Sequence, residues 1–558
     1  MPNYVELEKN IKNIIDDLQG LCNTNGLSNT ASEEIIVTSV FLYKFLNDKF
    51  IANLKKFASE MEISIEDVKK NKNNYLDAFY DTYSQDVTFA YEDTIEYLVG
   101  FLGNDNFYTK FEDALVRISN YPRNEDFSIE TSDGEYKPLF TKIISDNLPE
   151  SKRNAFARNI FSYITTERFD FGDTAEGNYD FFSTIFEYLI QNYNVASGTY
   201  AEYFTPQALS SAIAKILVHM SPIDDKIYEV YDPSAGSGSL VLHLANELGN
   251  GKFGNKARVY TQDISQKSSR FLRINMLLNG LKESLKNIIE GDTLKSPAHF
   301  RLEGNDGSGL KQFDFITSNP PFNTDFSSTR DDIERNWKNT SRFFAGIPNI
   351  PPKKKTSMAI YLCFIQHILY SLKDGGKAAI VVPTGFITAQ TGIEKEIRKY
   401  IVDNHYLRGV ISMPSNIFAN TGTNVSVIFI DKTNRDGNVL LVDASKLGEK
   451  IKIGKNQKTV LSQDELDKIV NTAIGNIVEA DFSVSVTYEQ IAKKCYSWAA
   501  GQYFDVKLKC IEITSSEFNK KLNDLTASIK GKFIENSILE KRINEKLEEI
   551  VGELSKNI

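Results

Sequence analysis

The run Phe313-Asp314-Phe315-Ile316-Thr317-Ser318-Asn319-Pro320-Pro321-Phe322 constrains this chain more than any other stretch. Its first half is apolar, aromatic and β-branched, as a short buried strand must be, and two prolines end that strand abruptly. Polar chemistry is thereby placed at the carboxyl end of a strand, the edge where open parallel sheets bind ligands. The amide oxygen of Asn319 and the carbonyl of Pro320 can accept hydrogen bonds from an exocyclic amine, and Phe322 offers a flat face for stacking. An ordinary strand-ending turn uses the same residue types, so the segment alone leaves both readings open.

Upstream segments repeat the arrangement. Lys226 to Tyr231 reads as a strand and runs into Asp232-Pro233-Ser234-Ala235-Gly236-Ser237-Gly238-Ser239, followed by a helical pattern. Small residues in such a turn let backbone amides approach a ligand closely. The glycine spacing lacks the third glycine of a nicotinamide fingerprint, and an acid precedes the turn. That combination points away from NAD and toward S-adenosylmethionine.

A second strand, Ala257 to Thr261, ends in Gln262-Asp263-Ile264, an acid suited to ribose hydroxyls. A third, Ile288-Ile289-Glu290-Gly291, is followed by Asp292-Thr293-Leu294, where Asp292 could bond to an adenine amine. Four successive strand ends thus carry Asp232, Asp263, Asp292 and Asn319. Before them, Glu202-Tyr203-Phe204-Thr205-Pro206-Gln207 combines two aromatics with a threonine cap and a helix beginning at Pro206. A helix start of this kind brings free amides and aromatic faces together for the carboxylate and adenine of a nucleoside cofactor, or is a capped helix and nothing more.

This ordered set resembles the γ-class adenine-N6 DNA methyltransferases, and more narrowly the modification subunit of type I restriction-modification systems. Asp374-Gly375-Gly376 through Gly385, and Met413-Pro414-Ser415-Asn416 through Asn424, are similar to later segments of that family. The likeness is close over about residues 195 to 445. Ser239 stands where relatives often have glycine, and the Ser357-Met358-Ala359 region lacks an acid that many relatives carry.

The resemblance implies an α/β fold: a Rossmann-like, S-adenosylmethionine-dependent methyltransferase sheet with an all-α N-terminal domain and a C-terminal helical tail. The expected division is a helical domain over 1–190, a catalytic domain over 191–475 and a partner-docking helical region over 476–558. Asn319, Pro320, Pro321 and Phe322 are the expected catalytic residues. Those expected to bind the cofactor are Glu202, Tyr203, Phe204, Thr205, Pro206, Gln207, Asp232, Ser234, Ala235, Gly236, Ser237, Gly238, Ser239, Asp263, Ile264, Asp292 and Thr293. Implied partners are double-stranded DNA, a specificity subunit shared by two modification subunits, and a restriction/translocase subunit. A solitary adenine methyltransferase, an RNA or protein-amide methyltransferase, and a non-catalytic scaffold are the alternatives.

Composition narrows the field further. The chain of 558 residues carries 64 basic against 74 acidic side chains, a net charge of -10, which opposes unaided grip on nucleic acid. A partner or a local patch must then meet the phosphates. Lys353-Lys354-Lys355 is one candidate patch, although three adjacent lysines are more often just a solvated loop. Cys22, Cys363, Cys495 and Cys510 show no metal-ligand or disulfide spacing, and no signal peptide or long apolar run is visible, so a cytoplasmic setting is expected. No phosphate-loop motif is present.

The two ends of the chain read as helical. Leu7, Ile11, Ile14, Ile15 and Leu18 follow a helical period, Ser32-Glu33-Glu34 opens a second helix, and the aromatics Phe79, Tyr80, Tyr83, Phe89 and Tyr91 read as core. Val439 to Asp443 suggests a last strand. From Thr514 onward, Phe518, Leu522, Leu525 and Ile529, then Leu539, Ile543, Leu547 and Ile550, suggest two amphipathic helices broken at Lys530-Gly531.

Overall fold

In the computed structural model, the described residues are 4–28, 30–131, 134–171, 185, 188, 205–220, 222–249, 256–300, 309–417, 424–434, 437–453, 456–504 and 514–554. They form two compact units, residues 1–504 and 505–558.

The first unit is built on a sheet with eleven strands among the described residues. These are β1 (Ile129–Thr131), β2 (Tyr136–Lys137), β3 (Tyr228–Asp232), β4 (Ala257–Asp263), β5 (Ile288–Glu290), β6 (Phe313–Ser318), β7 (Leu372–Pro383), β8 (Leu407–Ser412), β9 (Val425–Asp431), β10 (Val439–Asp443) and a last strand, Ser483–Val486. Their spatial order runs from Ser483–Val486 through β10-β8-β9-β7-β6-β3-β4-β5-β1-β2. The central strands β7, β6, β3, β4 and β5 are parallel, whereas β9 is antiparallel to both β7 and β8. From β3 the chain moves outward through β4 and β5, then returns to β6 on the other side of β3. The strand order therefore reverses between β3 and β6, the place where an open α/β sheet leaves a crevice at its carboxyl edge.

Period-2 alternation divides the strand side chains between the two faces. Ala379 and Val381 join one core with Val230, Val259 and the helices Gln207–His219, Ser239–Leu248 and Gln266–Leu278. Ala378, Ile380 and Val382 join the other, with Tyr231, the helices Tyr361–Ser371 and Gly392–Asp403, and Trp498. Phe313 and Phe315 are two residues apart yet fall in different cores, because the pairing register shifts between them.

The N-terminal helices follow their apolar periods. Helix Tyr4–Thr24 buries Ile11, Ile14, Ile15 and Leu18, and helix Ala31–Glu60 starts at Thr30, whose hydroxyl accepts from the Glu33 amide. Phe79, Tyr80 and Phe89 lie in the core, with Phe50 ring centroids 5.4 Å from those of Phe79 and Phe89. This helical region also lends the sheet the short β1 and β2, which extend it beyond β5. Arg273 holds the two parts together: its guanidinium donates to the carbonyls of Phe127, Lys137, Pro138 and Leu139 at 2.8–3.3 Å.

Two expectations change at the C-terminal side. The sheet does not stop before residue 475: Ser483–Val486 pairs with β10, and Trp498 is fully buried, so residues 476–504 belong to the first unit. The second unit contains one unbroken helix, Ser515–Leu554, rather than two. Gly531 sits inside it, because a single glycine costs a helix only about 1 kcal/mol, less than its long run of good helix formers supplies.

Candidate functional site

β3 and β6 lie side by side in parallel, with Val230 opposite Phe315 and Tyr231 opposite Ile316. The loops leaving their carboxyl ends are thereby neighbours, and the hydroxyls of Ser234 and Ser318 meet at 2.7 Å. Asp232 is 1% exposed, and its Oδ1 accepts from the Ser234 amide at 3.0 Å. Gly238 has φ +86°, a left-handed conformation that favours glycine, and a Cβ there would lie 2.2 Å from Leu272 Cδ1, so the loop packs closely against helix Gln266–Leu278. Ser239 opens helix Ser239–Leu248, and its hydroxyl lies 2.9 Å from that of Ser210 on the neighbouring helix.

Asp263 ends β4 against the same loop. Its Oδ2 accepts from the Gly236 amide and its Oδ1 from the Ser265 amide, both at 2.8 Å. The adjoining Ile264 is 72% exposed, an apolar side chain held out beside these acids. Asp292 closes its own turn through Oδ1, which accepts from the amides of Leu294 and Lys295. Thr293 donates to the Pro233 carbonyl at 2.7 Å, tying the loop after β5 to the loop after β3. Burial, and then the neighbouring Asp263, push the Asp232 carboxyl well above the usual carboxylate range. Burial likewise raises Asp263, against the pull of its two amide donors. Among the described residues neither acid is ion-paired with a cation.

Asn319 is 8% exposed, and its Nδ2 donates to the Thr205 hydroxyl at 3.1 Å. Thr205 does not serve as a helix cap: Pro206 occupies the cap position of helix Gln207–His219, and the hydroxyl goes to Asn319 instead. Phe322 is partly buried between the two cores and meets Tyr361 edge-on at 6.3 Å. Tyr361 in turn meets Phe386 at 6.0 Å. Thr205, the Asp232 loop, Asp263, Asp292, Thr293 and Asn319 to Phe322 are thus gathered at one sheet edge. Glu202, Tyr203 and Phe204 lie outside the described residues.

Sequence reasoning missed the support beneath this edge. Arg342 is fully buried and donates to the carbonyls of Thr293 and Leu294 at 2.8 and 2.9 Å and to His367 Nδ1 at 3.1 Å. His367 Nε2 lies 3.3 Å from the hydroxyl of Tyr231, which precedes Asp232. Burial lowers Arg342 to about 10 and keeps His367 neutral, its value well below the ordinary one. The one sequence clue was an arginine set among aromatics; its guanidinium lies over the rings of Trp337 and Phe343.

The arrangement can hold a nucleoside whose hydroxyls and ammonium donate to acids lacking cations, with a glycine turn that admits close backbone approach. The family model for N-6 DNA methylases matches residues 177–509. The chain belongs to the N-6 DNA methylase family. It is accordingly an adenine-specific DNA methyltransferase. The type I restriction enzyme MpnII methylase subunit of Mycoplasma pneumoniae is 28% identical over 94% of this methylase and 95% of its own length. The HindI methylase subunit of Haemophilus influenzae is 26% identical over 66% of this chain and 78% of its own. Among solved structures, the type I restriction-modification methyltransferase subunit from Streptococcus thermophilus superposes with a TM-score of 0.67 at 21% identity, covering 89% of this chain and 100% of that one, a likeness of fold.

Proposed function

We propose that this methylase transfers the methyl group of S-adenosylmethionine to N6 of adenine in double-stranded DNA as the modification subunit of a type I restriction-modification complex in the cytoplasm. The observation that carries this reading is the buried Asn319 at the strand-order reversal, beside the Asp232 loop. The residues present suit the cofactor. The Asp232 turn, from Ser234 through Ser239, would hold its amino-acid portion, Asp263 would accept from the ribose hydroxyls, and exposed Ile264, together with Asp292, would hold the adenine ring and its amine. Thr205, Pro206 and Gln207 would complete the pocket, with Thr293 holding the Asp292 turn in place, and Glu202, Tyr203 and Phe204 are assigned to the cofactor from the sequence motif alone. S-adenosylmethionine supplies the electrophilic sulfonium methyl when bound.

The chain's own groups prepare the amine. A target adenine leaves the duplex stack to be reached and stacks on Phe322. With the Asn319 amide nitrogen committed to Thr205, its oxygen is left to accept one N6 hydrogen, and the Pro320 carbonyl accepts the other. Both bonds draw the nitrogen toward tetrahedral geometry and free its lone pair for in-line attack, while Pro321 stiffens the turn. Digestion of labelled DNA to nucleosides tests this: N6-methyladenine is expected, and label in cytosine, RNA or protein refutes it.

The second unit supports the partner assignment. Phe518, Leu522, Leu525, Ile529, Leu539, Ile543, Leu547 and Ile550 recur on one stripe of helix Ser515–Leu554, and all are exposed. This stripe docks on a specificity subunit that reads the DNA, two methylase chains to one, and a restriction/translocase subunit joins the same assembly. Deleting residues 514–558 should abolish co-purification with the specificity subunit while S-adenosylmethionine binding remains; an intact complex refutes the docking role.

A further inference from the structure

We propose that the turn carrying Lys353, Lys354 and Lys355 is a phosphate-binding surface for the DNA backbone beside the target adenine, an inference that rests on the DNA-methylation reading. A chain with net charge -10 must concentrate cations wherever it touches phosphates. All three lysines are exposed, and among the described residues none forms an ion pair.

Their placement is what separates them from a solvated loop. The Thr324 amide, two residues past Phe322, donates to the Met358 carbonyl at 3.1 Å, so the lysine turn is fastened beside the catalytic segment. The turn itself is ordered by internal bonds. The Ser357 amide and hydroxyl both donate to the Lys354 carbonyl, at 2.9 and 2.8 Å, and the Met358 amide donates to the Lys355 carbonyl at 3.1 Å. Lys354 holds a left-handed φ of +58°, a conformation that a non-glycine residue keeps only where its surroundings impose it. Met358 is 2% exposed and packs in a small core with Phe326 and Leu294, which adjoin the Asn319 and Asp292 loops.

Acids near the turn leave its charge largely intact. Asp325 is close enough to Lys355 to feel its charge, and is otherwise bound to Ser327. On helix Arg330–Trp337, Asp331 and Glu334 pair with Arg330, and Asp332 pairs with Arg335 and Lys295. Three cations that form no ion pair among the described residues, on a hydrogen-bonded turn next to the stacking ring, suit a backbone that must be held while its base swings out.

The test compares the assembled enzyme containing the full-length chain with its Lys353→Gln/Lys354→Gln/Lys355→Gln counterpart. Affinity for a duplex with the target site and for a scrambled duplex is measured by anisotropy between about 50 and 200 mM salt. The slope of log affinity against log salt should fall by about 1 for each phosphate that is no longer neutralised, equally on both duplexes. KM for DNA should rise more than kcat falls, and S-adenosylmethionine affinity should hold. An unchanged slope while the wild type still produces N6-methyladenine overturns the patch alone; loss of subunit assembly in the variant overturns it in favour of a protein contact. Absence of N6-methyladenine from the wild type takes down the underlying reading as well.

Discussion

The two edges of the central sheet treat the same side chains in opposite ways. At the amino edge, Glu229 pairs with Lys311 at 2.7 Å and Lys373 at 3.0 Å, and Asp314 pairs with Lys373 at 2.9 Å and Lys226 at 3.1 Å. Asp314 also accepts from the Glu229 amide, knitting β3 to β6. Burial works to raise both acids, but hydrogen bonds and lysine charges outweigh it, and both end below the ordinary carboxylate range. At the carboxyl edge, Asp232 and Asp263 are offered backbone amides and no lysine, and both end above that range. Carboxylates that stabilise the fold receive cations here. Those left without one lie where a ligand is to donate to them, which is how a binding edge is distinguished from a structural one.

The largest effect should come from removing the carboxyl edge's amide. Asn319→Ala is expected to cut methyl transfer by about 10²- to 10³-fold, the scale of losing one positioned hydrogen-bond partner of the reacting group. Thermal stability and S-adenosylmethionine affinity should change little. A folded variant with full activity, measured by label transfer to DNA, would remove Asn319 from the reaction and erase the functional half of the contrast.

Paired substitutions sharpen it at smaller cost. Asp232→Asn relieves a buried, unpaired carboxyl and should stabilise the ligand-free chain by about 1 kcal/mol, while weakening S-adenosylmethionine binding at least about tenfold. Asp314→Asn should do the reverse, costing about 1 kcal/mol, with solvent screening of its lysines keeping the loss small, and leaving cofactor binding alone. Urea titration reads the stabilities and calorimetry the affinities. Stability effects of the same sign at both positions would show that the two edges do not differ as described.

Much of this contrast was legible because strand ends announce themselves. An apolar run followed by Asp232, by Asp263, by Asp292 or by Asn319 needs only local pattern to be read, and β3, β4, β5 and β6 end at or just before those residues. The hydroxyl of Thr205 was misread as a cap because its true partner, Asn319, is 114 residues away, and local rules see only the helix start. Arg342 and His367 stayed invisible for the same reason. The strand Ser483–Val486 and the short β1 and β2 exist through pairing with a sheet already formed rather than through their own periodicity. Gly531 was overweighted as a helix breaker in a segment whose apolar stripe runs past it.

The smallest effect, and the most direct reading of both edges at once, is the pH dependence of stability. Asp232 and Asp263 lie above their unfolded values, so their contribution is whole below the ordinary carboxylate pKa of about 4 and fades as pH rises through the raised folded values. Glu229 and Asp314 lie below theirs, so their contribution is whole above that pKa and is lost as pH falls through the lowered folded values. Between about pH 5 and 8 the amino edge is therefore silent, and any decline of ligand-free stability with rising pH from these four acids belongs to the carboxyl edge. Asp232→Asn should flatten that decline, and Asp314→Asn should leave it in place. S-adenosylmethionine should bind more tightly toward pH 8, because its donors favour the ionised carboxylates. Denaturation midpoints across this range decide the matter: a decline that survives Asp232→Asn unchanged would mean that the buried acid beside the glycine turn is not the group whose ionisation costs the fold its stability.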